Sequence, residues 1–327
     1  MVTIELTPED ITELRFAFSP MWELVMSYRV LRNPARHALF LPWIEKARAA
    51  LEGQSLPYLD AIVRAEGYFP DYLTPTPTSP LPSFDEELAR LCLTPPDEVR
   101  RDALRTFGAS NSELAPAHRC YFEQPAQALE RLVDDLKVYW EAALAHDWPG
   151  IKKRLEGDVL RRAHQLALEG SYKLLSDLHP LLTVEKNILK IQREHDKRVR
   201  PAGLGILLVP IFFSWPDLYY LAEPRQRPLI GYSPNGTALW LGSLAGVDKS
   251  LEVALGASRA KVLSALQIPK TPSILAEDIC VSVGAISQQL ARLRKAGLVY
   301  AYRSGRNTFY KVTPRGLALL GLFRQQS

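Results

Sequence analysis

Cysteine is scarce in this chain. The three present, Cys92, Cys120 and Cys280, stand far apart. An odd, scattered set excludes a disulfide framework and a cysteine-only zinc site, and it fits a reducing compartment. Long hydrophobic runs are also lacking. The most apolar stretch, GLGILLVPIFFSW (203–215), contains Pro210 and is well short of the ~20 residues that span a bilayer. The opening MVTIELTPED carries acids and no apolar segment, so it is no signal peptide. These absences predict a cytoplasmic protein with no membrane partner. The last absence is local: residues 279–327 hold 8 Lys/Arg and no Asp or Glu.

What is present is the composition of a folded globule, 47% hydrophobic and 23% charged. At 327 residues the chain exceeds the ~100–200 of one typical domain, so two or three are expected. Its net charge of +4 hides an asymmetry. Residues 251–327 carry 11 Lys/Arg against 3 Asp/Glu, whereas the preceding residues carry 29 against 33. A basic module on an acidic body points to a polyanion as partner of the C-terminal end.

The chain order predicts an α+β fold, mostly α. VTIEL alternates as a short strand. Thr7, Pro8 and the acids after them start a helix running through TPEDITELRFAF, and a second helix follows Ser19-Pro20 and ends at Asn33-Pro34. Further helices are expected near 35–51, 56–66, 84–91, 96–106, 124–146 and 149–169. The stretch 70–82 packs in five prolines and reads as an extended connector. From about Leu181 the period changes to that of strands, in LLTVEKNILKIQ, GLGILLVP, DLYYLA and PLIGYSP. The expectation is a helical domain at 1–180, a small, mostly antiparallel sheet of about five strands at 181–248 packed on it, and a C-terminal domain at 249–327. TALWLGSLAGV (237–247) returns to helix.

The C-terminal module is the most legible part. Gly256 and Ser258 read as a helix stop and a cap, and Ala260, Val262, Leu263 and Leu266 as one apolar helix. Thr271-Pro272 starts a second helix carrying Ile274, Leu275 and Ile279. Ser282 caps a third, on which Ile286, Leu290 and Leu293 fall at i, i+4 and i+7, a core stripe. Gly297 ends it, and LVYAYR and TFYKV flank SGRN as a two-stranded wing. This is a winged helix-turn-helix. Its exposed side offers Ser282, Gly284, Ala285, Ser287, Gln288, Gln289, Arg292 and Lys295, with Arg303, Arg306 and Asn307 at the wing. Gln and Ser can read base edges from a helix in the major groove. Arg and Lys suit phosphate, and small residues allow close approach.

The stretch SVGAISQQLARLRKAGLVYAYRSGRNTFYKVTPRG resembles the recognition helix and wing of ArsR-type winged-helix repressors, over about residues 251–323. SPMWELVMSYRVLRNPARH, LHPLL and GILLVPIFFSWP resemble an uncharacterised domain that precedes this module in some bacterial ArsR-type regulators. The first resemblance implies a cytoplasmic homodimeric repressor on double-stranded DNA, at an operator with two inverted half-sites. Metal-sensing members carry paired cysteines before the recognition helix or His/acid ligands on the terminal helix. Cys280 stands alone and 279–327 lack His, Asp and Glu, so no metal site and no cofactor is expected here. Cys280 also takes the place where the family has a turn glycine, and reads as a structural thiol, with redox sensing as the alternative.

Some 250 residues precede this module. Trp22, Trp43, Trp140, Trp148, Trp215 and Trp240, with Tyr28, Tyr68, Tyr72, Tyr139 and Tyr172, could line a pocket for a small apolar or aromatic effector, or be core. The basic helix IKKRLEGDVLRRAHQLALEG turns Ile151, Leu155, Val159 and Leu166 to one face and its Arg and Lys elsewhere. Enzyme motifs are weak. GYSPNG misses the G-x-S-x-G spacing by one residue, Gly203-x-Gly205 lacks a third glycine, and no phosphate loop or His-Glu-x-x-His occurs. Glu86-Glu87 and Asp134-Asp135 read as helix-surface pairs, and His179 and His195 as structural. No enzyme is expected. The alternative to a DNA-binding regulator is a protein-interaction or enzymatic protein whose winged helix stays off DNA. A docking version would carry apolar residues in place of Arg292, Lys295 and Arg306.

Overall fold

A computed structural model describes residues 1–108, 115–193, 196–223, 226–234, 249–266, 269–279, 281–304 and 307–322. The chain forms two compact units, Met1–Ala38 with Ile44–Pro234, and Leu39–Trp43 with Asn235–Ser327. It is mostly helical, with small mixed sheets and a C-terminal helix-turn-helix. The helix expected at 237–247, Trp240, His195, Cys280 and Arg306 lie outside the described residues.

The first unit opens with the alternating strand β1 (Val2–Glu5). Thr7 caps α1 (Pro8–Thr12). Its hydroxyl accepts from the Asp10 amide, and the Asp10 carboxylate accepts from the Thr7 amide. The predicted continuation of this helix through Phe18 does not form. The helix stops at Thr12, and strand β2 (Leu14–Phe16) follows, because its backbone finds a parallel partner at residues 206–208. Asp10 sets up that meeting. Fully buried, it also accepts from the amides of Gly203 and Gly205, 2.8 and 2.9 Å away. Gly205 has φ +79, and a Cβ there would lie 2.1 Å from the Glu13 carbonyl oxygen, so only glycine fits.

Ser19 caps α2 (Pro20–Arg32), which is buried along nearly its whole length. Then come α3 (Leu41–Ala50), α4 (Pro57–Ile62), α5 (Phe84–Leu91), α6 (Pro96–Phe107), α7 (Pro116–Glu123), α8 (Pro125–Tyr139) and α9 (Trp148–Ser176), the last broken at Gly170 (φ 81). Proline occupies the first position of α4, α6, α7 and α8, where its missing N–H costs nothing.

Three carboxylates join these helices from inside. Glu23 accepts from the amides of Phe212 and Phe213 at 2.6 and 3.2 Å. Glu87 accepts from the Ser19 hydroxyl and the Met21 amide at 2.9 and 2.8 Å. Asp135 accepts from the amides of Tyr58 and Leu59 at 2.7 and 2.9 Å. Glu87 and Asp135 are therefore not surface residues. Each satisfies the free first-turn amides of another helix, α2 and α4, which local periodicity does not reveal. Burial pushes the Glu23 carboxyl up to about 8 and that of Glu87 to about 7, against their hydrogen bonds.

The sheets depart from expectation in number and direction. β3 (Leu182–Glu185) and β4 (Ile188–Ile191) form the predicted hairpin, and β1 pairs antiparallel with β4 and parallel with β5 (Lys197–Val199). A second sheet runs β2, β6 (Ile206–Pro210), β8 (Leu229–Tyr232), β7 (Tyr219–Leu221), parallel except for β7. Among the described residues the first unit thus holds two mixed sheets, each completed by an N-terminal strand. They share one apolar cluster with Leu174 and Leu175 of α9. The basic helix α9 also departs from its wheel. Arg162 is only 1% exposed, donates to the Asp177 carbonyl, lies over the Tyr232 ring at 5.4 Å and pairs with Asp158, whose carboxylate also accepts from the Tyr232 hydroxyl.

Candidate nucleic-acid interface

The C-terminal unit opens with α10 (Lys249–Leu255) and α11 (Ala257–Ala265). Gly256 at φ +82 takes the cap position, so Ser258 falls inside the helix rather than capping it. Thr271 starts α12 (Pro272–Ile279), its hydroxyl 3.4 Å from the Ile274 amide. Ser282 caps α13 (Val283–Lys295), its hydroxyl accepting from the Ala285 amide at 3.2 Å. Ile286, Leu290 and Leu293 are buried as the stripe predicts, in one cluster with Leu263, Leu275, Val299 and Val312. Gly297, at φ +70, releases the chain into β9 (Val299–Ser304), which pairs antiparallel with β10 (Asn307–Val312). Lys270 bonds to Tyr310 in both directions, at 3.0 and 2.8 Å, as an isolated antiparallel bridge to the wing.

Helix α14 (Pro314–Leu322) follows the wing and is not among the expected elements. Its signal is Thr313-Pro314, the same start as Thr7-Pro8 and Thr271-Pro272. The Thr313 hydroxyl accepts from the Gly316 amide and donates to the Gly297 carbonyl.

At about 100° per residue, α13 presents a crest and two flanks. Gly284, Gln288, Ala291 and Lys295 lie opposite the core stripe. Ala285, Gln289 and Arg292 lie on one flank, and Ser287 and Arg294 on the other. Ser282, Gly284, Ala285, Ser287, Gln288, Arg292, Lys295 and Arg303 are all exposed, whereas Gln289 is half-buried. Asn307 sits in β10 opposite Ser304, and its side chain is outside the described set. The structure thus brings Gln288 and Lys295 to one surface and turns Gln289 toward the protein. A Cβ on Gly284 would have only the Ser282 hydroxyl within 4 Å, at 3.9 Å. The fold does not require glycine there, and the space before it is open.

Strand alternation sorts the wing. Arg303 shares a face with Ala301, Thr308 and Tyr310, while Tyr300, Tyr302, Phe309 and Lys311 share the other. On that second face Tyr302 stacks on Phe309 at 5.8 Å.

The electrostatics are one-sided. Asp278, the last acid in the sequence, is held by Lys270 at 2.6 Å with both side chains buried. Among the described residues Arg292, Arg294, Lys295 and Arg303 make no ion pair. Chemically this surface offers guanidinium and ammonium donors, one amide that can donate and accept, and the Ser287 oxygen. That hydroxyl donates to the Val283 carbonyl at 2.9 Å and is left as an acceptor. Sequence reasoning passed over Arg294 and Tyr310, which line a depression beside the helix with Ser287, Ala291 and Lys295. The available signal was the i, i+4, i+7 spacing of Ser287, Ala291 and Arg294.

In the first unit the aromatic residues largely pack against one another. Tyr28 meets Tyr139 edge-on at 4.9 Å, and their hydroxyls bond Asp60 and Ser27. Trp140 stacks on Phe84 at 4.4 Å. Trp22 and Tyr72 are buried, Trp148, Trp215 and Tyr68 half-buried, and Tyr172 is exposed; Trp43, which belongs to the second unit, is also buried. His179 is structural. Its ring nitrogens bond the Pro216 carbonyl and the Leu181 amide.

Comparison with known proteins matches residues 257–301 to the bacterial regulatory protein, arsR family, and residues 96–237 to a family of unknown function (DUF5937). The second match takes in LHPLL and GILLVPIFFSWP but begins after SPMWELVMSYRVLRNPARH. No curated protein and no solved structure matches the chain. Among the described residues no helix is long and apolar enough to cross a membrane. The chain therefore carries an ArsR-family helix-turn-helix domain, the DNA-binding domain of transcription regulators, behind a domain of unknown function.

Proposed function

We propose that the protein is a sequence-specific repressor, acting in the cytoplasm as a homodimer on an inverted-repeat operator. Residues 249–327 bind DNA, and residues 1–248 serve assembly or response to a small-molecule effector. The observation that carries the reading is the uncompensated cationic surface of α13 and the wing, in a stretch without a single acid. Phosphate is the counter-charge that such a surface lacks. Gln288, on the crest, has the amide geometry that pairs with adenine, and the Ser287 oxygen accepts from a base amino group. Arg292, Lys295, Arg303 and Arg306 act on the backbone, and Gly284 and Ala285 let it come close.

Two symmetric copies of α13 would enter successive major grooves about 34 Å apart. The test is selection of genomic fragments by the purified protein, then anisotropy titrations of the enriched sequence over a salt series. One inverted repeat, bound far more tightly than random duplex, is the expected result. Absence of any enriched sequence, with and without added metabolite extract, would count against the proposal.

A further inference from the structure

The outer face of α9 carries leucines where a solvated helix carries charge. Its inner face, with Ile151, Leu155, Asp158 and Arg162, is buried. Opposite it, at about 100° per residue, lie Gly157, Leu160, His164, Ala167 and Leu168. All five are exposed, the two leucines at 72% each. The charged residues of this stretch stand on the flanks instead, Arg154 and Arg161 on one side, Lys152 and Glu156 on the other. We propose that this face pairs with its own copy: α9 is the homodimer contact, and the two helices lie parallel about the two-fold axis. The inference rests on the homodimer reading above and deepens it by naming the surface.

Gly157, Leu160, His164 and Ala167 are spaced 3, 4 and 3 residues apart, the seam spacing of two helices wound about each other. A helix that is apolar on both faces is one packed on both sides, and the chain itself packs only the inner one. Gly157 points to the second neighbour. It sits mid-helix, where glycine is unfavourable, and a Cβ there would meet nothing within 4 Å. The fold of one chain gives no reason for glycine at this place. The close approach of a second backbone does.

Charge selects the partner and its direction. In parallel pairing each seam residue meets its own copy, and a flank residue meets the one five positions further on in the other helix. Glu156 then stands against the partner's Arg161, twice by symmetry, and Ala163 against the partner's Leu168. Glu156 makes no ion pair among the described residues. Arg161 is held by Asp158 at 2.7 Å but keeps 33% of its side chain exposed, and a guanidinium has donors to spare. Antiparallel pairing sets the flank of Arg154 and Arg161 against itself. Ile151 and Leu155 already fix the helix in the core, so pairing orders no new segment.

The experiment is sedimentation of the full chain over a concentration series without DNA. It compares the parent with Leu160→Asp, Glu156→Arg and the double variant Glu156→Arg with Arg161→Glu. The parent should be a dimer at micromolar concentration. Leu160→Asp should raise the dissociation constant about a hundredfold, as loss of a central anchor does. Its circular dichroism should match the parent's, because residue 160 lies outside the core. Glu156→Arg should weaken the dimer about tenfold by setting like charges together, and the double variant should return close to the parent. Leu160→Cys should join to its own copy under mild oxidation, with the parent and its three native thiols as the control. A parent dimer that Leu160→Asp leaves intact overturns the α9 contact, and the homodimer reading stands. Dissociation by Leu160→Asp, with neither recovery in the charge-reversed pair nor the disulfide, overturns the parallel direction. A parent that is monomeric both free and on its operator takes the homodimer reading down with the contact.

Discussion

Lys270 and Asp278 form a buried ion pair, Nζ 2.6 Å from Oδ2, with the side chains 8% and 7% exposed. The pair fastens the residue that bridges to the wing to the last turn of α12. It also offsets the charge of the last acid before the exposed residues of α13. Asp278→Ala leaves an ammonium buried without a partner and is expected to cost about 3–5 kcal/mol. Urea unfolding of the full chain, followed by a probe in the C-terminal unit, measures it. Lys270→Met with Asp278→Leu should recover most of the loss, because two apolar side chains leave no charge to desolvate.

Gly284 separates folding from binding. It sits in the first turn of α13 with open space where a side chain would go. Gly284→Ala should stabilise the helix by up to about 1 kcal/mol. The same methyl group should weaken duplex binding if DNA comes close to this turn. A melting temperature that rises while affinity falls is the expected pair of results. Unchanged affinity would place the DNA elsewhere.

Gln288 stands on the crest and Arg303 on the wing face shared with Tyr310. Gln288→Ala should lose about 1–3 kcal/mol of discrimination at one base position while keeping the salt slope. Arg303→Ala should weaken all sequences alike and flatten that slope. Affinity measured on a panel of single-base operator variants distinguishes the two.

Stability of the first unit should fall as pH rises through neutrality. The folded carboxyls of Glu23 and Glu87 titrate near 8 and 7 because burial opposes their ionisation, against an ordinary value of 4.5. Each therefore binds its proton more tightly folded than unfolded. Their contribution is full below about 4.5 and is lost as pH climbs through 7 and 8. The decline is about 1.4 kcal/mol per pH unit for each proton involved. Urea midpoints across this range check it, and Glu23→Gln should flatten the profile because the amide does not titrate.

Local signals carried the C-terminal module. Ser282, the stripe Ile286, Leu290 and Leu293, and the stop at Gly297 all lie within one helix of each other. A capped, one-sided helix is specified by spacing and turn chemistry alone, and so is the absence of acids around it. The chain sequence by itself therefore determined the winged helix-turn-helix and its charge.

Tertiary structure decided what partners distant in the chain decide. Leu14–Phe16 is strand, not helix, because Asp10 and Gly205 bring residues 206–208 alongside it. Glu87, Asp135 and Arg162 are inside because amides, a carbonyl and a ring from other segments satisfy them. The two exposed flanks of α13 look alike in sequence, since both carry an arginine. Only the wing, by standing beside one of them, makes a concave cationic groove of Arg294 and leaves Arg292 on the open side. Periodicity reports which side of an element is apolar. Which neighbour comes to the other side is set by packing between segments far apart in the chain.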